Sequence, residues 1–195
     1  MKTKCQYNHK TCNKIDAQGG AQGGAGVIIL LDENNILLGY DNYLKAYAIC
    51  TGKRNFRETC YIEAIEREAL EEFKICISTL EPTNKNIFCE ENENFIDSEG
   101  NVQFIVVGRS PIFIGRYSHD EINVDSFNKK IESDNQNEEL PEDFKEINHL
   151  KICSRNSIKK EGNDEYIIIS DDNKILPLSK FTYKVLNAFN SKQLI

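Results

Sequence analysis

The sequence predicts an α/β (α+β) domain in which helices pack on a mixed sheet. Three observations predict it. Residues 26–42 and 102–115 are rich in β-branched and leucine residues around turn clusters, the composition of paired strands. Residues 59–75 carry apolar side chains at helical spacing. A second helical stripe, Phe181, Val185, Leu186 and Phe189, follows Ser179, whose hydroxyl suits an N-cap. Strands and helices that each have one apolar face bury both by stacking in layers.

Composition narrows the function classes. A chain of 195 residues can bury one sizeable core. Its 31 acids against 24 bases give a net charge of −7, which argues against coating nucleic acid by charge alone. A small phosphate site stays open, because a divalent cation reverses the local sign. No apolar run approaches the ~20 residues that span a bilayer, and the start MKTKCQYNHK has no signal-peptide core. A cytoplasmic protein without membrane contact is therefore expected. The seven cysteines are odd in number and irregularly spaced, several inside apolar patterns, so they read as reduced core residues rather than a disulfide frame.

In chain order, residues 1–25 read as a flexible tail ending in a doubled AQGG linker. Cys5, His9 and Cys12 offer zinc its preferred thiolate and imidazole ligands, but no second Cys/His pair lies nearby, and stray residues of a tail explain them better. The domain proper is read as 26–195. It opens with a hairpin turning at Asp32-Glu33-Asn34-Asn35. A short apolar run, 47–50, leads into Thr51-Gly52, and Thr59 then caps the first helix. The strand signal of 102–115 is interrupted by Ser110-Pro111. Residues 119–143 are crowded with Asp, Glu and Asn and read as a polar loop or insertion. Alternation returns at 146–153, and 165–178 reads as a last hairpin over Asp171-Asp172-Asn173.

The first helix is where chemistry is expected. On a helical wheel Ile62, Ile65, Ala69 and Phe73 form the stripe that packs on the sheet. Glu68, Glu71 and Glu72 fall beside that stripe, while Glu63, Glu66, Arg67 and Lys74 fall toward solvent. Acids at the rim of a buried face repel one another and lose hydration unless a cation compensates. Oxygen-only ligands select Mg²⁺ or Mn²⁺, the partners of phosphate chemistry. An acidic, solvated helix face is the plain alternative.

Residues 52–75 resemble the Nudix box, Gly-x5-Glu-x7-Arg-Glu-U-x-Glu-Glu-x-Gly-U, where U is aliphatic. Gly52 and Glu58 match its first half, and Arg67, Glu68, Ala69, Glu71, Glu72 and Ile75 match its second half in register. Two positions depart from it. Eight residues separate Glu58 from Arg67 where the family has seven, and Lys74 replaces the closing glycine. The extra residue calls for slack at the loop-to-helix junction or a π-bulge. Lys74 in a left-handed conformation would cost about 1 kcal/mol, unless the helix runs on past it.

The resemblance implies a Nudix-like α/β/α sandwich with a mixed sheet. It also implies hydrolysis of a diphosphate linkage in a nucleoside diphosphate derivative, with Mg²⁺ or Mn²⁺ as cofactor. On that reading Glu68, Glu71 and Glu72 are metal ligands, joined by the Gly52 carbonyl, and Arg67 braces the loop. Glu58 assists, and Lys53 and Arg54 meet phosphate. The family's general base can lie outside the box; Glu121, Glu138, Glu139 and Glu146 are available, with Glu146 favoured because it precedes a strand. Capped RNA or a diphosphoinositol phosphate are conceivable substrates, though an acidic chain suits RNA poorly. A Nudix-fold module that binds a nucleotide or a protein partner without turnover is the alternative.

Overall fold

The computed structural model describes residues 24–53, 55, 58, 61–75, 81–82, 94–96, 103–117 and 123–191, apart from 109, 164, 171 and 172. The tail with Cys5, His9 and Cys12, and also Arg54, Thr59 and Glu121, lie outside the described residues. The side chains of Ile62 and Glu63 do too.

Strands β1 (Gly24–Leu30) and β2 (Asn35–Asp41) form the expected hairpin. Its turn is held by Asp32, whose carboxylate accepts the amides of Asn34 and Asn35 at 2.7 and 2.8 Å. Strand β1 begins inside the segment read as linker, because Gly24 and Ala25 pair with Lys53 and Gly52. The chain then runs through β3 (Ala46–Ala48) and β4 (Cys50–Lys53) into helix α1 (Tyr61–Glu72). Short strands β5 (Glu81–Pro82) and β6 (Asn94–Ile96) precede a hairpin of β7 (Gln103–Val107) and β8 (Ser110–Arg116). Gly108, at φ +67°, lies in the turn between these last two. Ser110 and Pro111 therefore start β8 instead of interrupting a strand.

The larger sheet runs β3-β2-β1-β8-β7-β6, with β4 on β1 and β9 (Ile147–Ser154) on β2. It is mixed: β1 and β8 are parallel, and the other pairs are antiparallel. Both faces of β1 are buried, which explains its unbroken apolar run. Val27, Ile29 and Leu31 pack with Ile65 and Ala69 of α1 and with Phe73 just beyond it. Ile28 and Leu30 pack with Val185 and Leu186 of α3 (Lys180–Ser191). A second sheet, β10 (Ile158–Glu161), β11 (Glu165–Ile169) and β12 (Ile175–Pro177), contains the last expected hairpin plus one strand the sequence did not suggest. Cys50 and Cys153 are buried, reduced cysteines, as their apolar surroundings imply. No described helix is long and apolar enough to cross a membrane.

The polar loop expected at 119–143 is corrected. Residues Val124–Gln136 form a helix, α2, capped by Asn123, whose side chain accepts the Ser126 amide at 3.0 Å. Its apolar stripe is only Val124, Phe127 and Ile131, so the composition resembles a loop while the spacing is helical. Asn128 fastens it to β9 by bonding the Leu150 amide and carbonyl at 2.6 and 3.1 Å.

Helix α1 ends at Glu72, and Lys74 takes φ +59°, the left-handed geometry that glycine adopts without strain. Lys74 is not a solvent-facing helix residue, because the wheel stops before reaching it. Its ammonium is buried, pairing with Asp134 at 2.9 Å and donating to the carbonyls of Glu71 and Phe144 at 2.7 and 3.2 Å. Relieving the strain with Lys74→Gly should gain about 1 kcal/mol. Leaving Asp134 and two carbonyls without their cation should lose about 2–4 kcal/mol. A net fall in stability, read as a lower midpoint in urea, is the expected result.

Candidate functional site

The site is assembled where β4 meets α1. Alternation along β4 turns Cys50 and Gly52 toward the helix, and Cys50 joins the core beneath it. Gly52 leaves room for Glu68: a β-carbon there would stand 1.8 Å from the Glu68 Cδ and Oε1. Any larger residue must expel that carboxylate. Gly52→Ala is thus expected to fold, since Glu68 can swing away, and on a hydrolase reading to lower turnover about 10²-fold through misplacement. Parallel measurements of kcat/KM and thermal midpoint check this.

Arg67 is the hub of the loop. Its Nε donates to Glu58 Oε1, its Nη1 to Glu71 Oε2 and its Nη2 to Glu68 Oε1, each at 2.7 Å. Nη2 also donates to the Lys53 carbonyl at 2.8 Å. Glu58 in turn accepts the Asn55 amide at 2.6 Å. Burial works against the Arg67 charge, but the hydrogen bonds to Glu58, Glu68 and Glu71 outweigh it and raise its pKa. The wheel's outward placement of Arg67 is corrected: the side chain bends over the helix to reach three carboxylates. Glu58 thus meets Arg67 across the eight residues that separate them, and Tyr61–Glu72 is α-helical throughout.

The acids of α1 divide into two roles. Glu72 is only 6% exposed, and burial, reinforced by the charges of Glu68, Glu146 and Asp41, pushes its carboxyl well above the usual range. The thiol of Cys50 bonds to it and is itself pushed up by burial and by the Glu72 charge. Glu68 is pushed up to about 7, first by burial and then by Glu71 and Glu146, against the pull of Arg67. Glu71 stays on Arg67.

A cleft of about 600 Å³ opens over this arrangement. Glu68, Arg67, Lys53 and Glu146 line one side, and Phe181 lines it from α3. Of the expected residues, Glu68, Arg67, Gly52, Lys53 and Glu146 therefore meet at one cleft. Glu71 and Glu72 are not in its lining, and Glu138 and Glu139 are exposed elsewhere. Sequence reading missed Cys50, whose thiol bonds Glu72 from β4, and Asp41 of β2, whose charge adds to the upward push on Glu72. Their same-face spacing from Gly39 and Gly52 was a signal only once the strands were paired.

No family model matches the chain, and comparison with curated proteins found no significant match.

The fit of a divalent cation can be judged from the donors. Glu68, Glu72 and Glu146 are oxygen donors; the charge of Glu146 adds to the upward push on both Glu68 and Glu72, and that of Glu68 adds to the push on Glu72. Burial holds Glu72 well above its usual range and Glu68 up to about 7 despite its ion pair with Arg67, and a hard cation would supply positive charge to both. Among the described residues no three Asp, Glu, His or Cys side chains are gathered closely enough to hold a metal ion. Arg67 holds Glu68 in its place. The donor chemistry suits Mg²⁺ or Mn²⁺, and binding requires Glu68 to turn from Arg67.

Proposed function

We propose that the cleft hydrolyses a diphosphate linkage in a nucleoside diphosphate derivative, using Mg²⁺ or Mn²⁺, on a Nudix-like α/β/α sandwich. The observation that carries this reading is the pair of desolvated carboxylates, Glu68 and Glu72, with Glu146 in the wall of a cleft braced by Arg67. Helices on both faces of a mixed sheet, and Gly52 admitting Glu68, support it further.

Glu68, Glu72 and Glu146 would hold the cation. When bound, it supplies charge to the phosphoryl oxygens and makes a nucleophile of water. Glu146, on the cleft wall, accepts the proton of the attacking water. Lys53 meets a phosphate oxygen at the mouth. Arg67 positions Glu68 and Glu71 and does not touch substrate.

A second reading is a nucleotide-binding module without turnover. The grip of Arg67 on Glu68 and Glu71 favours it, since both acids are already neutralised by a resident cation. Incubating the protein with a panel of nucleoside diphosphate derivatives, with and without Mg²⁺ or Mn²⁺, separates the two. Metal-dependent release of phosphate-containing products supports the hydrolase, and binding without products supports the module.

A further inference from the structure

The helical stripe of α3 would bury Phe181, yet this ring is 36% exposed and lines the cleft. Loose packing of the helix end does not account for it. Ser179 caps the helix by accepting the Thr182 amide at 3.1 Å, and its own amide donates to the Tyr47 carbonyl at 2.9 Å. Thr182, 1% exposed, accepts the Ile49 amide at 3.1 Å. Val185 and Leu186 are fully buried behind it. The backbone that carries Phe181 is therefore fixed on both sides, and the ring is presented to the cleft by a rigid support. A preorganised aromatic ring loses little freedom on binding and offers an apolar face to a flat partner.

Charge limits what else the cleft can take. Among its described lining residues the cations are Lys53 and Arg67, and Arg67 is committed to Glu58, Glu68 and Glu71. Glu68 and Glu146 line the same space. A densely phosphorylated ligand such as a diphosphoinositol phosphate would need several more cations than these described residues supply. A nucleoside carrying a short phosphate chain needs few, and brings a planar base. The cleft volume of about 600 Å³ lies within the range of small-molecule sites.

We infer that Phe181 is a stacking platform for a nucleobase, which makes a nucleoside diphosphate, rather than an inositol diphosphate, the class of ligand the cleft takes. The phosphates then extend from the ring toward Lys53 and the carboxylates. The inference rests on the cleft being the diphosphate site, and Phe181 acts on specificity, not on the reacting atoms.

The chain contains no tryptophan, so Phe181→Trp introduces a single fluorophore at the platform. Its emission should be quenched on titration with ADP or GDP in Ca²⁺, and not with inorganic pyrophosphate or diphosphoinositol pentakisphosphate. Phe181→Ala should weaken ADP binding, measured by calorimetry, by about 5- to 100-fold, as loss of base stacking does elsewhere. Phe181→Tyr should restore most of it. Circular dichroism confirms that each variant is folded, and Phe181→Leu serves as a second probe if Phe181→Ala is not. Quenching by ADP without turnover in the wild-type protein leaves the platform standing and removes the hydrolase. Turnover of nucleotides by the wild type, with no quenching and with unchanged ADP affinity in Phe181→Ala or Phe181→Leu, removes the platform and leaves the hydrolase. Equal quenching by diphosphoinositol pentakisphosphate overturns the ligand class.

Discussion

Glu72→Gln is expected to lower metal-dependent turnover by about 10²–10⁴-fold while making the metal-free protein more stable. The two effects have one origin. Glu72 is 6% exposed and its carboxyl is pushed well above its usual value of 4.5 by burial and by neighbouring acids. A carboxyl raised on folding stays protonated in the native state while the unfolded chain releases its proton. The unfolded state therefore binds fewer protons, and stability declines as pH rises above about 4.5. Glutamine keeps the size and has no proton to lose, so this decline disappears. The thermal midpoint of Glu72→Gln should exceed that of the wild type by a margin that grows from pH 5 to pH 8. Added Mg²⁺ or Mn²⁺ should raise the wild-type midpoint and leave the variant unmoved. Parallel loss of stability and activity would instead mark Glu72 as an ordinary structural residue.

Arg67→Ala is expected to cause the largest loss of stability, about 2–4 kcal/mol. Removing the guanidinium leaves Glu58, Glu68 and Glu71 with side-chain exposures of only 9%, 14% and 15% and without their shared cation. It also frees the Lys53 carbonyl and hence the loop between β4 and α1. Arg67→Lys should recover little, because a single ammonium cannot reach three carboxylates as the planar fork does. Denaturant unfolding of both variants at neutral pH measures the loss. Lower pH should narrow the gap to the wild type, since Glu68, pushed up to about 7, takes up a proton and no longer needs the cation. A variant within about 0.5 kcal/mol of the wild type would show the network to be an exposed set of surface pairs.

Much of this arrangement is legible in the sequence. The hairpin at Asp32, strand β9, the last hairpin and the Ser179-capped helix follow from alternation, turn residues and capping. The acids of α1 stand beside its buried stripe, as the wheel places them. Other features depend on tertiary contacts that local pattern does not encode. Helix α2 was read as loop because most of its residues face water and only three reach the core. Lys74 and Arg67 were assigned to solvent, but both long side chains fold back onto carboxylates contributed by other segments or turns. Phe181 fits an amphipathic stripe by spacing, yet it is 36% exposed and lines the cleft, a tertiary feature that helical spacing does not encode. Glu146 was favoured among four candidate bases, and the pairing of β9 with β2 brings it to Glu68.

The central claim is that Glu68, Glu72 and Glu146 serve a divalent cation, and calorimetric titration with Mn²⁺ in buffers of different ionisation enthalpy tests it most directly. A cation that binds carboxylates held protonated by burial must displace their protons. With Glu68 at about 7, release of about one proton or more per Mn²⁺ is expected at pH 6, shrinking by pH 8 as affinity rises. Glu72→Gln should weaken binding at least about tenfold. Absence of binding at millimolar Mn²⁺, or the same affinity in Glu72→Gln as in the wild type, would contradict the claim.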